Sequence, residues 1–87
     1  MPADLDPYSG VPRYLQIARI IESEIRAGQY EPGDPAPSRA QISQRFGVAL
    51  ETSAHAHREL TKAGYLAPVA GVGMLVTPAD RWPKEER

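Results

Sequence analysis

Cysteine is absent from the 87 residues, which removes disulfides and thiolate-bound metal as supports and leaves an apolar core to hold the fold. Long apolar runs are absent too. Nothing approaches the roughly 18 residues of a membrane span, and no basic start leads into an apolar stretch, so neither a transmembrane segment nor a secretory leader is expected. The cytoplasm is the expected compartment, with no membrane partner. An excess of charge of one sign is also missing, the formal net charge being -1. Sequence-independent affinity for a polyanion comes from Lys and Arg neutralising phosphates, so this balance argues against a generic polyanion binder. What remains, with 41% apolar and 24% charged residues, is the composition of one small folded domain, too short for two.

The average conceals a gradient. Residues 1–34 carry three Arg against six Asp or Glu, residues 35–62 carry four Lys or Arg against two Glu, and residues 63–87 hold three of each sign. The middle third is therefore the basic part, a small patch that reads equally well as a solvated surface.

Residues 1–11 contain two Pro, one Gly and no periodicity, and read as a mobile arm. From Pro12 the apolar residues Tyr14, Ile17, Ala18, Ile21 and Ile25 recur at steps of three and four, which predicts an amphipathic helix over about 12–27, closed by Gly28. Pro32, Gly33, Pro35 and Pro37 then forbid helix and disfavour a strand with a complete ladder, leaving a rigid connector. Ser38 and Gln41 stand at capping-box spacing and open a second helix over 39–46, in which Ile42 and Phe46 share a face and which Gly47 ends. A short turn leads to a third helix over 50–63, stopped by Gly64. Two helices joined through about three residues containing Gly make a helix-turn-helix, a geometry also common in proteins that touch no DNA. Tyr65–Val69 and Met74–Thr77 are β-compatible runs around Ala70-Gly71-Val72-Gly73, which predicts a two-stranded hairpin. The expected fold is mostly α with a small β-hairpin, a winged helix-turn-helix over 12–77, followed by a tail over 78–87.

The residues in order are Pro12-x-Tyr14-x-Gln16-Ile17-Ala18 with Ile21 and Ile25, Gly28, Pro32-Gly33, Pro37-Ser38, Phe46-Gly47-Val48, Glu51-Thr52, Ala56, Arg58-Glu59-Leu60, Gly64-Tyr65-Leu66 and Gly71-x-Gly73 before Val76. Over Pro12 to Val76 the chain resembles the DNA-binding domain of GntR-type bacterial transcription regulators. The resemblance implies that the third helix enters the major groove, that the wing approaches the minor groove, and that a homodimer reads a palindromic operator in double-stranded DNA. It implies a sequence-specific transcription regulator, a repressor. The family usually carries a large effector-binding domain after the wing, for which residues 78–87 are too few.

The departures from the family pattern fall on the surface that would meet DNA. The family's Leu-Pro-Ser-Glu-Arg-Glu-Leu stretch places its Arg at Ala40, beside Arg39. Its Ser-Arg-x-Thr-Val-Arg-Arg stretch falls on Ala49, Leu50, Glu51, Thr52, Ser53, Ala54 and His55, and the wing carries Ala70 and Val72 where polar or basic residues are usual. An arginine bidentate to guanine supplies on the order of 1–3 kcal/mol of discrimination, and Ala49 in place of serine removes a helix cap worth roughly 1 kcal/mol. The candidate DNA contacts that remain are Ser38, Arg39 and Arg45 on the second helix, Leu50, Thr52, Ser53, His55 and Arg58 on the third, and Gly71 in the wing, with Lys62 beside them.

Other readings attach to some of these residues. Arg58 and Lys62 also suit a solvated helix face, and His57, where the family has leucine, reads as a partly buried or interface histidine. Glu51, His55 and Glu59 have the spacing of a divalent-metal face, but neither a metal nor another cofactor is expected. An enzyme is not expected either: there is no cysteine nucleophile, no credible acid pair and no phosphate-binding glycine loop. The alternative function is a protein-interaction module in which a partner protein covers an apolar third helix and wing.

Overall fold

The computed structural model describes residues 5–84. Its elements in chain order are α1 (Arg13–Arg26), α2 (Arg39–Phe46), α3 (Leu50–Ala63), β1 (Leu66–Val69) and β2 (Gly73–Val76), followed by one 3-10 turn at Ala79–Arg81. Three helices and a wing match the architecture expected from the sequence, with helix ends displaced by no more than one residue and strand ends by one.

The core follows from the apolar stripes. Ile17, Ala18, Ile21 and Ile25 on α1 meet Ile42 and Phe46 on α2 and Ala56 and Leu60 on α3, with Tyr65, Leu66 and Val76 closing the hairpin side. The capping box of α2 is complete: the Gln41 amide donates to Ser38 Oγ at 3.0 Å and the Ser38 amide donates to Gln41 Oε1 at 2.8 Å. These reciprocal bonds satisfy two amides that the helix start leaves orphaned. Gly47 takes the left-handed conformation, φ 68, that turns the chain from α2 toward α3.

The hairpin is antiparallel, with Leu66 opposite Val76 and Val69 opposite Gly73. Ala70-Gly71-Val72 forms the loop, closed by the Val72 amide donating to the Val69 carbonyl at 3.0 Å. The proline-rich connector lies along the outer edge of β2. The Gly33 amide donates to the Val76 carbonyl, Val76 returns a bond to the Asp34 carbonyl, and the Ala36 amide donates to the Met74 carbonyl. Pro35 stands opposite Leu75 between two of these bonds, a place in an antiparallel pair where the residue's own nitrogen is not called on to donate.

Two segments outside the helices and the wing make contacts of their own. Residues 5–11 are tied to α1 by Gln16, whose Oε1 accepts from the Asp6 amide at 2.8 Å and whose Nε2 donates to the carbonyls of Asp6 and Val11. A single glutamine thus supplies the turn with partners that no local pattern reveals. Residues 1–4 of the expected arm and 85–87 of the expected tail lie outside the described residues. After β2 the chain folds back: Trp82 Nε1 donates to the Thr77 carbonyl at 3.1 Å, and the Trp82 ring lies 5.7 Å from that of Tyr65. Tyr65 is buried and its hydroxyl accepts from Arg26 Nε at 2.8 Å. Burial pushes its ionisation above the ordinary tyrosine value.

Gly64 makes this return possible. Its φ of 99 suits glycine, and a Cβ there would stand 2.3 Å from the Arg81 carbonyl oxygen. Among the described residues no helix is long and apolar enough to cross a membrane.

Candidate nucleic-acid interface

α3 divides into an inner and an outer face. Ser53, Ala56, His57 and Leu60 are buried, spaced three, one and three residues apart on one side of the helix. Leu50, Ala54, Arg58 and Lys62 follow one another at intervals of four along a second stripe. Leu50 is 58% exposed, Arg58 and Lys62 are exposed and Ala54 is partly buried. The stripe therefore runs from apolar at the start of α3 to basic toward its end.

The expected contact residues do not all reach this surface. Ser53 is a correction: it is fully buried, and its Oγ has no hydrogen-bond partner. It occupies the first position of the inner stripe, where the packing of α3 on α1 closes over so small a side chain. Arg45 is a second correction. Its guanidinium donates through both terminal nitrogens to the Glu24 carboxylate, the Nη1 bond measuring 2.9 Å, and stands 4.8 Å from the Phe46 ring centroid. Hydrogen bonding to Glu24 raises the arginine pKa further, and its charge ties α2 to α1.

His55 turns toward α1, where its ring stacks on that of Tyr14 with centroids 3.5 Å apart and planes 6° from parallel. A shallow cleft there is lined by Arg13, Glu51, Thr52, His55 and Arg58. Glu59 does not join it, and among the described residues no group of three His, Cys, Asp or Glu side chains stands close enough to hold a metal. His57 is 9% exposed, with Nε2 2.6 Å from the Pro37 carbonyl oxygen. A carbonyl can only accept, so this nitrogen carries the proton, and the bond fixes the connector against α3.

Ser38 and Arg39 are exposed at the start of α2, and Gly71 is exposed in the wing. Ser38 and Arg39 border an open groove of about 920 Å³ between α3 and the wing, whose lining also includes the apolar Ala54, Val72 and Met74 and the cations Arg58 and Lys62, whereas Gly71 does not line it. Val72 stands 67% exposed at the wing tip. Ala49 has the extended backbone of a helix cap but provides no side-chain bond, so the first amides of α3 keep open donors.

The family model described as bacterial regulatory proteins, gntR family, matches residues 13–76. The chain belongs to the gntR family. Among curated relatives, the arabinose metabolism transcriptional repressor of Geobacillus stearothermophilus is 34% identical over 76 residues, which are 87% of this chain and 20% of that protein. The mannosyl-D-glycerate transport/metabolism system repressor MngR of Escherichia coli strain K12 is 36% identical over 76 residues, 87% of this chain and 29% of that one. The chain thus spans less than a third of the length of either relative.

Solved structures of the gntR type share the fold. YtrA from Sulfolobus acidocaldarius, a GntR-family transcription factor, aligns with a TM-score of 0.77 and 31% identity, covering 86% of this chain and 79% of that one. AraR(DBD) in complex with operator ORX1 aligns at 0.76 and 30% identity, covering 88% and 95%. The gntR scaffold is intact here, and of the departures noted in the sequence Leu50 and Val72 are exposed and Ala54 is partly buried.

Proposed function

We propose that this chain binds double-stranded DNA sequence-specifically and regulates transcription as a repressor in the cytoplasm. One observation carries the reading: α3 presents an outward stripe ending in Arg58 and Lys62 beside an exposed wing, in an architecture like that of AraR(DBD), which is solved in complex with an operator. In helix-turn-helix proteins the first residues of the second helix reach base edges while flanking cations meet phosphates. Here that assigns Leu50 and Thr52 to the bases, and Arg39, Arg58 and Lys62 to the backbone, with Ser38 and Gly71 at the margins.

The chain acts as a homodimer on a palindromic operator. Three such cations per domain form a small phosphate term, and two-fold symmetry doubles it. The test is binding to genomic fragments at two salt concentrations, with sedimentation of the free and bound protein. A negative slope of log affinity against log salt and a two-to-one complex are expected; a slope near zero, or a monomer on its target, overturns the reading.

The apolar groove favours a second reading, in which Leu50, Ala54 and Val72 face a protein partner. No shift of any duplex at low salt would favour it.

A further inference from the structure

Resting on the DNA-binding reading above, we infer that Leu50 is a specificity residue that reads the C5-methyl of thymine in the major groove, so that each half-site carries a required A·T pair where a donor residue would select G·C. The first position of α3 is occupied by an aliphatic side chain that is largely exposed, in an otherwise well-ordered packing scheme that buries every other isoleucine and leucine at least in part. The next residue on its stripe, Ala54, also lacks a donor. Arg58, the first cation on the stripe, is eight residues on, a rise of about 12 Å along the helix.

Base edges in front of Leu50 therefore meet a surface with no side-chain hydrogen-bond donor on that stripe. Guanine O6 and N7, or adenine N7, would be left without a bond there and stripped of water, which is unfavourable. The thymine methyl is the one apolar group on the major-groove edge. Glu51 is exposed and borders the cleft with Arg13, Thr52, His55 and Arg58, but its carboxylate only accepts, so it supplies no donor to guanine O6 or N7 or to adenine N7. Arg39, Arg58 and Lys62 line the groove between α3 and the wing and supply positive charge for the phosphates.

Burying one methyl corresponds to about fourfold in affinity, and to about 15-fold for two symmetric half-sites. The experiment selects duplexes from a pool with a randomised core of about two helical turns, using the full chain, and resynthesises the selected duplex with deoxyuridine at single thymidines. Loss of affinity at one thymidine per half-site is expected. That loss should vanish in Leu50→Ala, because the reader of the methyl is gone, and Leu50→Arg should select guanine at the same position.

Equal affinity for uracil and thymine throughout, with duplexes still selected, overturns the assignment of Leu50 and leaves DNA binding standing. An unchanged uracil penalty in Leu50→Ala overturns it too, since another group then reads the methyl. Failure to retain any duplex overturns both readings and leaves the apolar face to a protein partner.

Discussion

The rings of Tyr14 and His55 lie face to face, joining the first turn of α1 to the second turn of α3. Near the start of a helix that lacks a side-chain cap, this stack holds the first two turns of α3 against α1.

A stacked aromatic pair contributes about 0.5–1.5 kcal/mol beyond its area. Tyr14→Ala and His55→Ala should each lower stability, and the double variant should lose less than their sum. Urea denaturation of the four proteins measures the coupling. Strictly additive losses would show that the rings are neighbours without being coupled.

Ser53 offers a gain in stability. Its hydroxyl is buried without a hydrogen-bond partner, and an unsatisfied buried polar group costs roughly 1–3 kcal/mol. Ser53→Ala removes the hydroxyl, keeps nearly the same volume and improves helix propensity. Thermal unfolding should shift upward. A downward shift would mean that the hydroxyl has a partner in solution, such as the carbonyl one turn back or a water.

The contrast between local and long-range partners explains what the sequence could reveal. α2 was legible because its signals are local: Ser38 and Gln41 are three residues apart, and Gly47 follows at once. The buried side of α3 was partly legible as well, since Ser53, Ala56, His57 and Leu60 keep helical spacing. A polar residue at the head of that stripe reads as surface only if residue type is weighed above position. Arg45 was different in kind, because Glu24 lies 21 residues away and no periodicity links them. A still larger separation in sequence hid the stack of His55 on Tyr14 and the pairing of the connector with β2, whose partners meet only once the chain has folded. Exposure of Val72 was legible from its place between two turn glycines.

Charge exposure separates the arginines. Arg58 is exposed on the outer stripe, whereas Arg45 is bound to Glu24. Arg58→Ala should reduce the magnitude of the salt slope of DNA binding by about 0.9 for each domain in contact, the value for one phosphate. Arg45→Ala should leave that slope unchanged and lower stability by less than about 1 kcal/mol, as expected for a partly exposed ion pair. Affinity titrations across a salt series decide the matter. A larger slope change for Arg45→Ala would place α2, rather than the middle of α3, against the backbone.

The wing gives the last test. Val72 projects from the hairpin tip with most of its surface in solvent, so Val72→Glu creates no cavity and should leave the stability within about 0.5 kcal/mol of the parent. If the wing approaches DNA, the new carboxylate repels phosphates. That repulsion is strongest where screening is weakest, so affinity should fall most at low salt and recover toward the parent's relative value as the Debye length shrinks from about 30 Å at 0.01 M to about 8 Å at 0.15 M. If a protein partner covers the wing instead, a carboxylate on an apolar contact must be desolvated, and binding of that partner is lost with little dependence on salt. The two readings thus predict different salt dependences for one substitution. A Val72→Glu protein that binds duplexes like its parent at every salt concentration would remove the wing from the interface and leave α3 and the start of α2 to carry recognition.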